Sequence, residues 1–172
     1  MVDVYLSLPA FLTMVSSAAE VYRQETVGYL VGYPTKSNFV VEYAVPFQAV
    51  DSSDSVVYVD ENRTARINRI INRLAEGLEI VGTFHSHAGL GSRKALPLPS
   101  EADVNHVLPD EIELIVALNP KKKEVRWQEG NYTVYGTVDD LHVEIGGFMR
   151  TGSGRGWKRL HINCSPITGV RP

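Results

Sequence analysis

The sequence has little of several features that would place it outside the ordinary globular proteins. Its single cysteine, Cys164, excludes an internal disulfide and zinc sites built from several cysteines, and it predicts a reducing, cytoplasmic location. The apolar runs are far shorter than a membrane span, and the N-terminus lacks a basic segment with a small-residue cleavage site, so we expect no membrane partner and no signal peptide. The net charge of −3 argues against a protein that binds nucleic acid over its whole surface, so we expect no nucleic-acid partner, but it does not exclude a local basic patch. Any metal must be held by His, Asp or Glu.

Helical and strand-like patterns alternate along the 172 residues, which suffice for one domain with a sizeable core. Apolar residues at helical spacing predict helices over 9–24 and 60–78, with Asp60 as N-cap and Gly77 as C-cap. The predicted strands lie at 2–6, 25–32, 38–50, 80–87, 112–118, 125–128, 132–138 and 141–145. This order predicts an α/β (mixed α+β) domain with one central sheet and helices packed on it.

The end of the chain differs in composition from the rest. Residues 146–172 are rich in glycine and contain no acidic side chain. We therefore expect a domain over 1–145 and a basic C-terminal extension over 146–172, which adds a last strand near 160–164 and a frayed end.

Two histidines stand at the end of the predicted strand 80–87. His85 and His87 are two residues apart, so their side chains share one face of the strand. Ser100 and Asp103 follow a loop of Gly, Pro, Ser and basic residues. Two imidazole nitrogens and one carboxylate oxygen can hold a catalytic zinc ion and leave a fourth position to water.

Other interpretations of the same residues stay open at this point. Ser100 and Asp103 also form a capping-box pattern at the start of a predicted helix. A His-x-His pair occurs on many protein surfaces, and His106 is a further neighbour on the same predicted helix. A lone glutamate such as Glu25, before the strand 25–32, is most often a solvated carboxylate.

The combination of G-x-x-H-S-H, P-S-x-x-D and the upstream E-T-V-G-Y-L-V-G resembles the JAMM (MPN+) metalloprotease family, including its proteasome-lid and prokaryotic members. The family pattern is a glutamate followed by H-[ST]-H-x7-S-x2-D. The resemblance implies a central mixed β-sheet flanked by helices, with a cytidine-deaminase-like architecture, and makes 1–145 the catalytic domain. It also implies that one catalytic Zn²⁺ is held by His85, His87 and Asp103, that Glu25 is the general base, and that Ser100 stabilises the oxyanion.

The loop after the histidines departs from the family pattern. Twelve residues separate His87 from Ser100 where the family has seven, so 88–99 carries an insertion. This loop either bulges outward and leaves Ser100 in place, or offers Ser92 as another candidate. Because no aspartate follows Ser92 at the required offset, we retain Ser100.

The resemblance further implies a substrate class, namely ubiquitin or a ubiquitin-like protein cleaved after its C-terminal glycines. The extended tail of such a substrate pairs with an edge strand, and our candidates for this pairing are Val56, Val57, Tyr58, Ala88 and Gly89. The resemblance also admits a proteasome-type or homo-oligomeric partner. Two other functions remain open: a non-catalytic scaffold of the same fold, and a DNA-associated JAMM-like protein, which the basic extension alone would support.

Overall fold

The computed structural model describes residues 2–47, 61–89, 91–100, 103, 110–150 and 156–169. Its elements, in chain order, are β1 (Asp3–Leu6), α1 (Leu8–Glu20), β2 (Val27–Pro34), β3 (Phe39–Pro46), α2 (Glu61–Leu74), β4 (Glu79–Ala88), β5 (Ile112–Pro120), β6 (Gln128–Glu129), β7 (Thr133–Val138), β8 (Leu141–Arg150), β9 (Trp157–Asn163) and α3 (Ser165–Thr168). The predicted mixed α/β fold with helices around a central sheet is confirmed.

All nine strands of the described residues belong to one sheet, in the order β5-β4-β2-β3-β1-β9-β8-β7-β6. An additional pairing of β5 with β8 joins the two sides of this order, so that seven of these strands form a closed ring. The pairs β1–β3, β1–β9 and β4–β5 are parallel, and the others are antiparallel. The sequence patterns predict a mixed sheet, but they contain no signal for this closure.

Strand β8 is longer than predicted, because it continues through Gly146 to Arg150 instead of ending at Ile145. Gly146 is required for close approach: a Cβ atom there would collide with the carbonyl oxygen of Pro97. The predicted boundary between 145 and 146 therefore falls inside a strand. The division into a domain and an extension stays a prediction, and β9, within the proposed extension, pairs with β1 and β8.

Helix α1 begins as predicted and ends earlier. The hydroxyl oxygen of Ser7 caps it by accepting a hydrogen bond from the Ala10 N–H at 3.2 Å. The helix ends at Glu20 rather than near Gln24, so Tyr22 lies beyond it and not on its apolar face. The Tyr22 hydroxyl instead donates to the carbonyl of Gly89 at 2.8 Å, which ties the end of α1 to the segment after the histidines.

Helix α1 also supplies one wall of the core, through the buried side chains of Ala10, Phe11, Met14, Val15 and Ala18. Helix α2 packs much less closely, and Leu74 at its end is 82% exposed. It ends at Leu74 rather than at 78, and Gly77 adopts a positive φ in the turn that follows. The predicted N-cap Asp60 lies outside the described residues, and no helix among those residues is long and apolar enough to cross a membrane.

Candidate metal centre

Strand β4 carries both histidines between two neighbouring strands. It pairs antiparallel with β2 and parallel with β5, in a register that places Val27 and Ile115 beside His85. The rings of His85 and His87 lie on the same face of β4, as predicted, and their Nε2 atoms are 3.0 Å apart. His85 is buried and His87 is half-buried.

Asp103 completes a group of three possible metal ligands. Its Oδ2 atom lies 3.5 Å from Nε2 of His85 and 3.8 Å from Nε2 of His87. One ligand atom from each residue falls within 4.8 Å of the others. Bond lengths of about 2.0–2.2 Å in a tetrahedral zinc site separate the ligand atoms by about 3.3 Å. The three side chains could therefore hold a metal ion.

The opposite ring nitrogens are both held by oxygen acceptors. Nδ1 of His85 donates to Oε1 of Glu113 at 2.5 Å, and Nδ1 of His87 donates to the carbonyl of Leu96 at 3.0 Å. Glu113 is buried in β5, and its second oxygen accepts from the Thr83 hydroxyl at 2.6 Å. These partners direct the Nε2 atoms of both rings toward Asp103. Because the Nε2 atoms of the neutral rings would turn their lone pairs toward each other, the arrangement suits a cation between them, either a proton or a metal ion.

The electrostatics of the site favour positive charge at this point. Burial by itself would lower the pKa of His85, but the hydrogen bonds to Asp103 and Glu113 outweigh it and raise that pKa from 6.5 to about 10. For Asp103, burial would raise the pKa, whereas the hydrogen bond and charge of His85 hold it well below its usual range. The carboxylates of Asp103 and Glu113 thus lie on either side of the buried His85 ring.

Glu25 lies at the entrance of β2, and its position is fixed through its neighbour. The Thr26 N–H donates to the hydroxyl of Ser86 at 2.9 Å, and the Ser86 N–H donates to the Thr26 carbonyl at 2.9 Å. Ser86 stands between His85 and His87 in the sequence, and its side chain is buried. This pair of bonds therefore anchors the backbone beside Glu25 to β4, the strand that carries the histidines. Glu25 itself is exposed to solvent.

Ser100 and Asp103 form the reciprocal contacts of a capping box. The Ser100 N–H donates to Oδ2 of Asp103 at 2.5 Å, and the Asp103 N–H donates to the Ser100 hydroxyl at 3.4 Å. The two interpretations of this pair are therefore compatible, because the same Oδ2 atom also faces His85. The hydroxyl proton of Ser100 remains able to donate to another oxygen. Most of the helix predicted after Ser100, with His106, lies outside the described residues.

The loop after β4 folds back onto the sheet instead of bulging outward. Within 91–100, the N–H and carbonyl of Ala95 both bond the Asn119 side chain, at 2.8 and 3.0 Å. Ala95 and Pro97 are buried, and Leu96 holds the ring of His87. Ser92, the alternative to Ser100, is exposed to solvent. The insertion thus forms part of the wall of the candidate metal centre.

The predicted substrate-binding residues have different surroundings. Val56, Val57 and Tyr58 lie outside the described residues, so their role stays a prediction. The Gly89 N–H donates to the Leu118 carbonyl at 2.8 Å and its carbonyl accepts from Tyr22, so both groups already have partners within the chain. Ala88 differs, because strand alternation directs its N–H and carbonyl away from β5, on the side where β2 pairing has ended.

Sequence reasoning missed Glu113, Asn119 and Ser86 as contributors to the site. Glu113 had a signal: it is the single charged residue in the apolar run 112–118, where a buried carboxylate requires a partner. Asn119 reads as an ordinary turn residue before Pro120. Ser86 occurs in the H-[ST]-H pattern, but spacing alone does not reveal that its hydroxyl holds Thr26.

Comparisons with known proteins identify the family to which the chain belongs. The family model of prokaryotic homologs of the JAB domain matches residues 7–130, which include the five predicted metal-binding and catalytic residues and Glu113. The chain is 25% identical over 105 residues to the 26S proteasome regulatory subunit rpn8 of Schizosaccharomyces pombe, in an alignment that covers 58% of this chain and 30% of that protein. The chain therefore spans less than a third of that relative.

Among solved structures, the solution structure of protein DSY2949 from Desulfitobacterium hafniense superposes with a TM-score of 0.63 at 19% identity. The superposition covers 94% of this chain and 92% of that one, and it supports the fold. The family match extends over most of the chain and over the whole candidate site. The resemblance derived from the sequence is thereby confirmed, and the chain belongs to the prokaryotic homologs of the JAB domain.

Proposed function

We propose that this protein is a zinc-dependent isopeptidase or peptidase that cleaves after the C-terminal glycines of ubiquitin or a ubiquitin-like protein, in deconjugation or precursor processing. The observation that carries the proposal is the convergence of His85, His87 and Asp103, with both rings oriented from behind by Glu113 and Leu96. A ligand set that is supported in this way is typical of metal sites. Cytoplasmic location is a further proposal, which rests on the single cysteine.

The chain's own residues divide the chemistry between them. A zinc ion bound at this centre would supply a water molecule with a pKa of roughly 7 and would polarise the scissile carbonyl. In our proposal the Glu25 carboxylate accepts the proton of the attacking water and returns it to the leaving amine. The Ser100 hydroxyl donates to the carbonyl oxygen as that oxygen gains negative charge. The hydrogen bond between the Thr26 N–H and the Ser86 hydroxyl holds the backbone next to Glu25 against β4.

An extended substrate tail can be accommodated at the end of β4. The N–H and carbonyl of Ala88 point to the side on which β2 no longer pairs, which leaves an edge where one more strand can bind. Ala88 directly follows His87, so a tail paired there would carry its last peptide bond toward the metal centre. Gly89 contributes less to this pairing, because its backbone groups are already bonded.

The test compares Glu25→Gln with Glu79→Gln, which alters an exposed glutamate at the start of β4, the opposite end of that strand from the histidines. Each protein is incubated with C-terminally extended ubiquitin-like precursors, with zinc and with a chelator, and the products are weighed by mass spectrometry. We expect Glu25→Gln to bind zinc like the parent protein and to lose about 100-fold or more in turnover. The control should cleave normally, and the chelator should stop all cleavage. Undiminished turnover by Glu25→Gln would disprove the role of the base.

The similarity to a proteasome regulatory subunit favours a second candidate, in which the domain is an interaction subunit that performs no hydrolysis. Metal content separates the two proposals. Purified protein that contains no zinc, and that stays inactive after zinc addition, would support the interaction subunit. One bound zinc per chain together with chelator-sensitive cleavage would support the hydrolase.

A further inference from the structure

A basic cleft borders the loop whose Leu96 carbonyl orients His87. It has a volume of about 550 Å³ and opens between the segments 91–94 and 119–125, beside His142 of β8. Five cationic side chains line it: Arg93, Lys94, Lys121, Lys122 and Lys123. No carboxylate is among its lining residues in the described part of the chain. In a protein with a net charge of −3, this concentration of positive charge is local and unusual.

These cations are largely uncompensated within the described residues. Lys121 forms an ion pair with Glu124 at 2.6 Å, and the described residues provide no such partner for the other four. Four of the five side chains are exposed, and Lys121 is half-buried. Like charges that are crowded around a concave surface repel one another, and they attract an anion that can bridge several of them.

The composition of the cleft indicates which kind of anion it suits. Its apolar lining includes Val125, and no aromatic ring other than the imidazole of His142 contributes to it. A single-stranded nucleic acid is usually held by aromatic rings on which its bases stack. The Ser92 hydroxyl and the lysine ammonium groups are instead suited to separate carboxylates along a peptide. We propose that this cleft is a docking site for an acidic, carboxylate-rich segment of a protein partner.

The cleft and the metal centre share one segment of chain. Asn119 lines the cleft and clamps both backbone groups of Ala95, and the next residue, Leu96, accepts the hydrogen bond from His87. A segment docked between 91–94 and 119–125 therefore rests against the loop that orients a metal ligand. If the proposed function holds, on which this step depends, the acidic segment belongs to the protein whose peptide or isopeptide bond is cleaved.

The binding test uses the full chain and a fluorescein-labelled hexaglutamate peptide, with affinity measured by fluorescence anisotropy. The double variant Lys122→Glu/Lys123→Glu reverses two cleft charges. The matched control, Lys36→Glu/Lys158→Glu, makes the same change in net charge at two exposed lysines elsewhere. We expect the cleft variant to bind roughly tenfold more weakly or worse, and the control to stay within about twofold of the parent protein. Binding should weaken as salt increases and should be unaffected by a chelator.

Three results would overturn the proposal: no saturable binding by the parent protein, equal weakening by both double variants, or displacement of the peptide by a lower concentration of a thymidine oligonucleotide. The last would indicate a nucleic-acid site instead. A second arm measures cleavage of a ubiquitin-like precursor with and without an added hexaglutamate segment. A lower KM for the acidic precursor with the parent protein, but not with the cleft variant, would assign the segment to the substrate. Peptide binding without any cleavage would support the docking site and contradict only the proposed hydrolase.

Discussion

Glu113 Oε1 lies 2.5 Å from Nδ1 of His85, although the two residues are 28 positions apart in the chain. The parallel pairing of β4 with β5 produces this contact, because it sets Thr83 beside Glu113 on one face of the sheet. One carboxylate thereby accepts hydrogen bonds from both Thr83 and His85, and each of its two oxygens has a donor. The orientation of His85, a candidate metal ligand, thus depends on a residue outside the group of three possible ligands.

Replacement of this carboxylate should weaken metal binding without unfolding the protein. In Glu113→Gln a single amide oxygen replaces the two carboxylate oxygens, so Thr83 and His85 must compete for one acceptor. We expect zinc affinity to fall by about 10- to 100-fold, as measured by competition with a chromophoric chelator. Glu144→Gln, on the adjacent strand β8, is the control and should bind zinc normally. An unchanged affinity in Glu113→Gln would show that Glu113 does not orient His85.

The hydroxyl of Ser86 should control turnover through the position of Glu25. In Ser86→Ala the buried N–H of Thr26 loses its acceptor, which should lower the free energy of unfolding by about 1–3 kcal/mol in urea titrations. The kcat should fall while zinc stoichiometry is retained, since neither residue is a ligand. Ser86→Thr keeps the hydroxyl and should restore kcat. An alanine variant with the parent kcat would refute this positioning role.

Cys164 provides a test that is independent of catalysis. It is fully buried, and desolvation raises the pKa of its thiol from 9.0 to about 11. Above about pH 9 the thiol of the unfolded chain ionises while that of the folded chain stays protonated, so stability is complete below pH 9 and declines as the pH approaches 11. Urea titrations at pH 8, 9 and 10 should show this decline, and Cys164→Ala should decline less. Iodoacetamide should label the thiol only after denaturation. Rapid labelling of the native protein would contradict the burial.

Much of the architecture could be predicted because it depends on local patterns. Alternating and helical spacing located most strands and both long helices, and the apolar run 112–118 located β5. Errors occurred where a contact from elsewhere overrides the local signal. Tyr22 fits a helical stripe, but its hydroxyl reaches the Gly89 carbonyl beyond the end of α1. Gly146 reads as the end of a strand, but it is the point where Pro97 crosses β8.

The sequence by itself determined the residue types of the candidate site, because imidazole and carboxylate ligands, a strand period of two and a helix-capping pattern are properties of near neighbours in the chain. Only the tertiary structure decided that Glu113 stands behind His85, that the loop after β4 packs against Asn119, and that β5 and β8 close the ring. These relations depend on the register between strands distant in sequence, and such a register is set by packing of the whole core rather than by any local pattern.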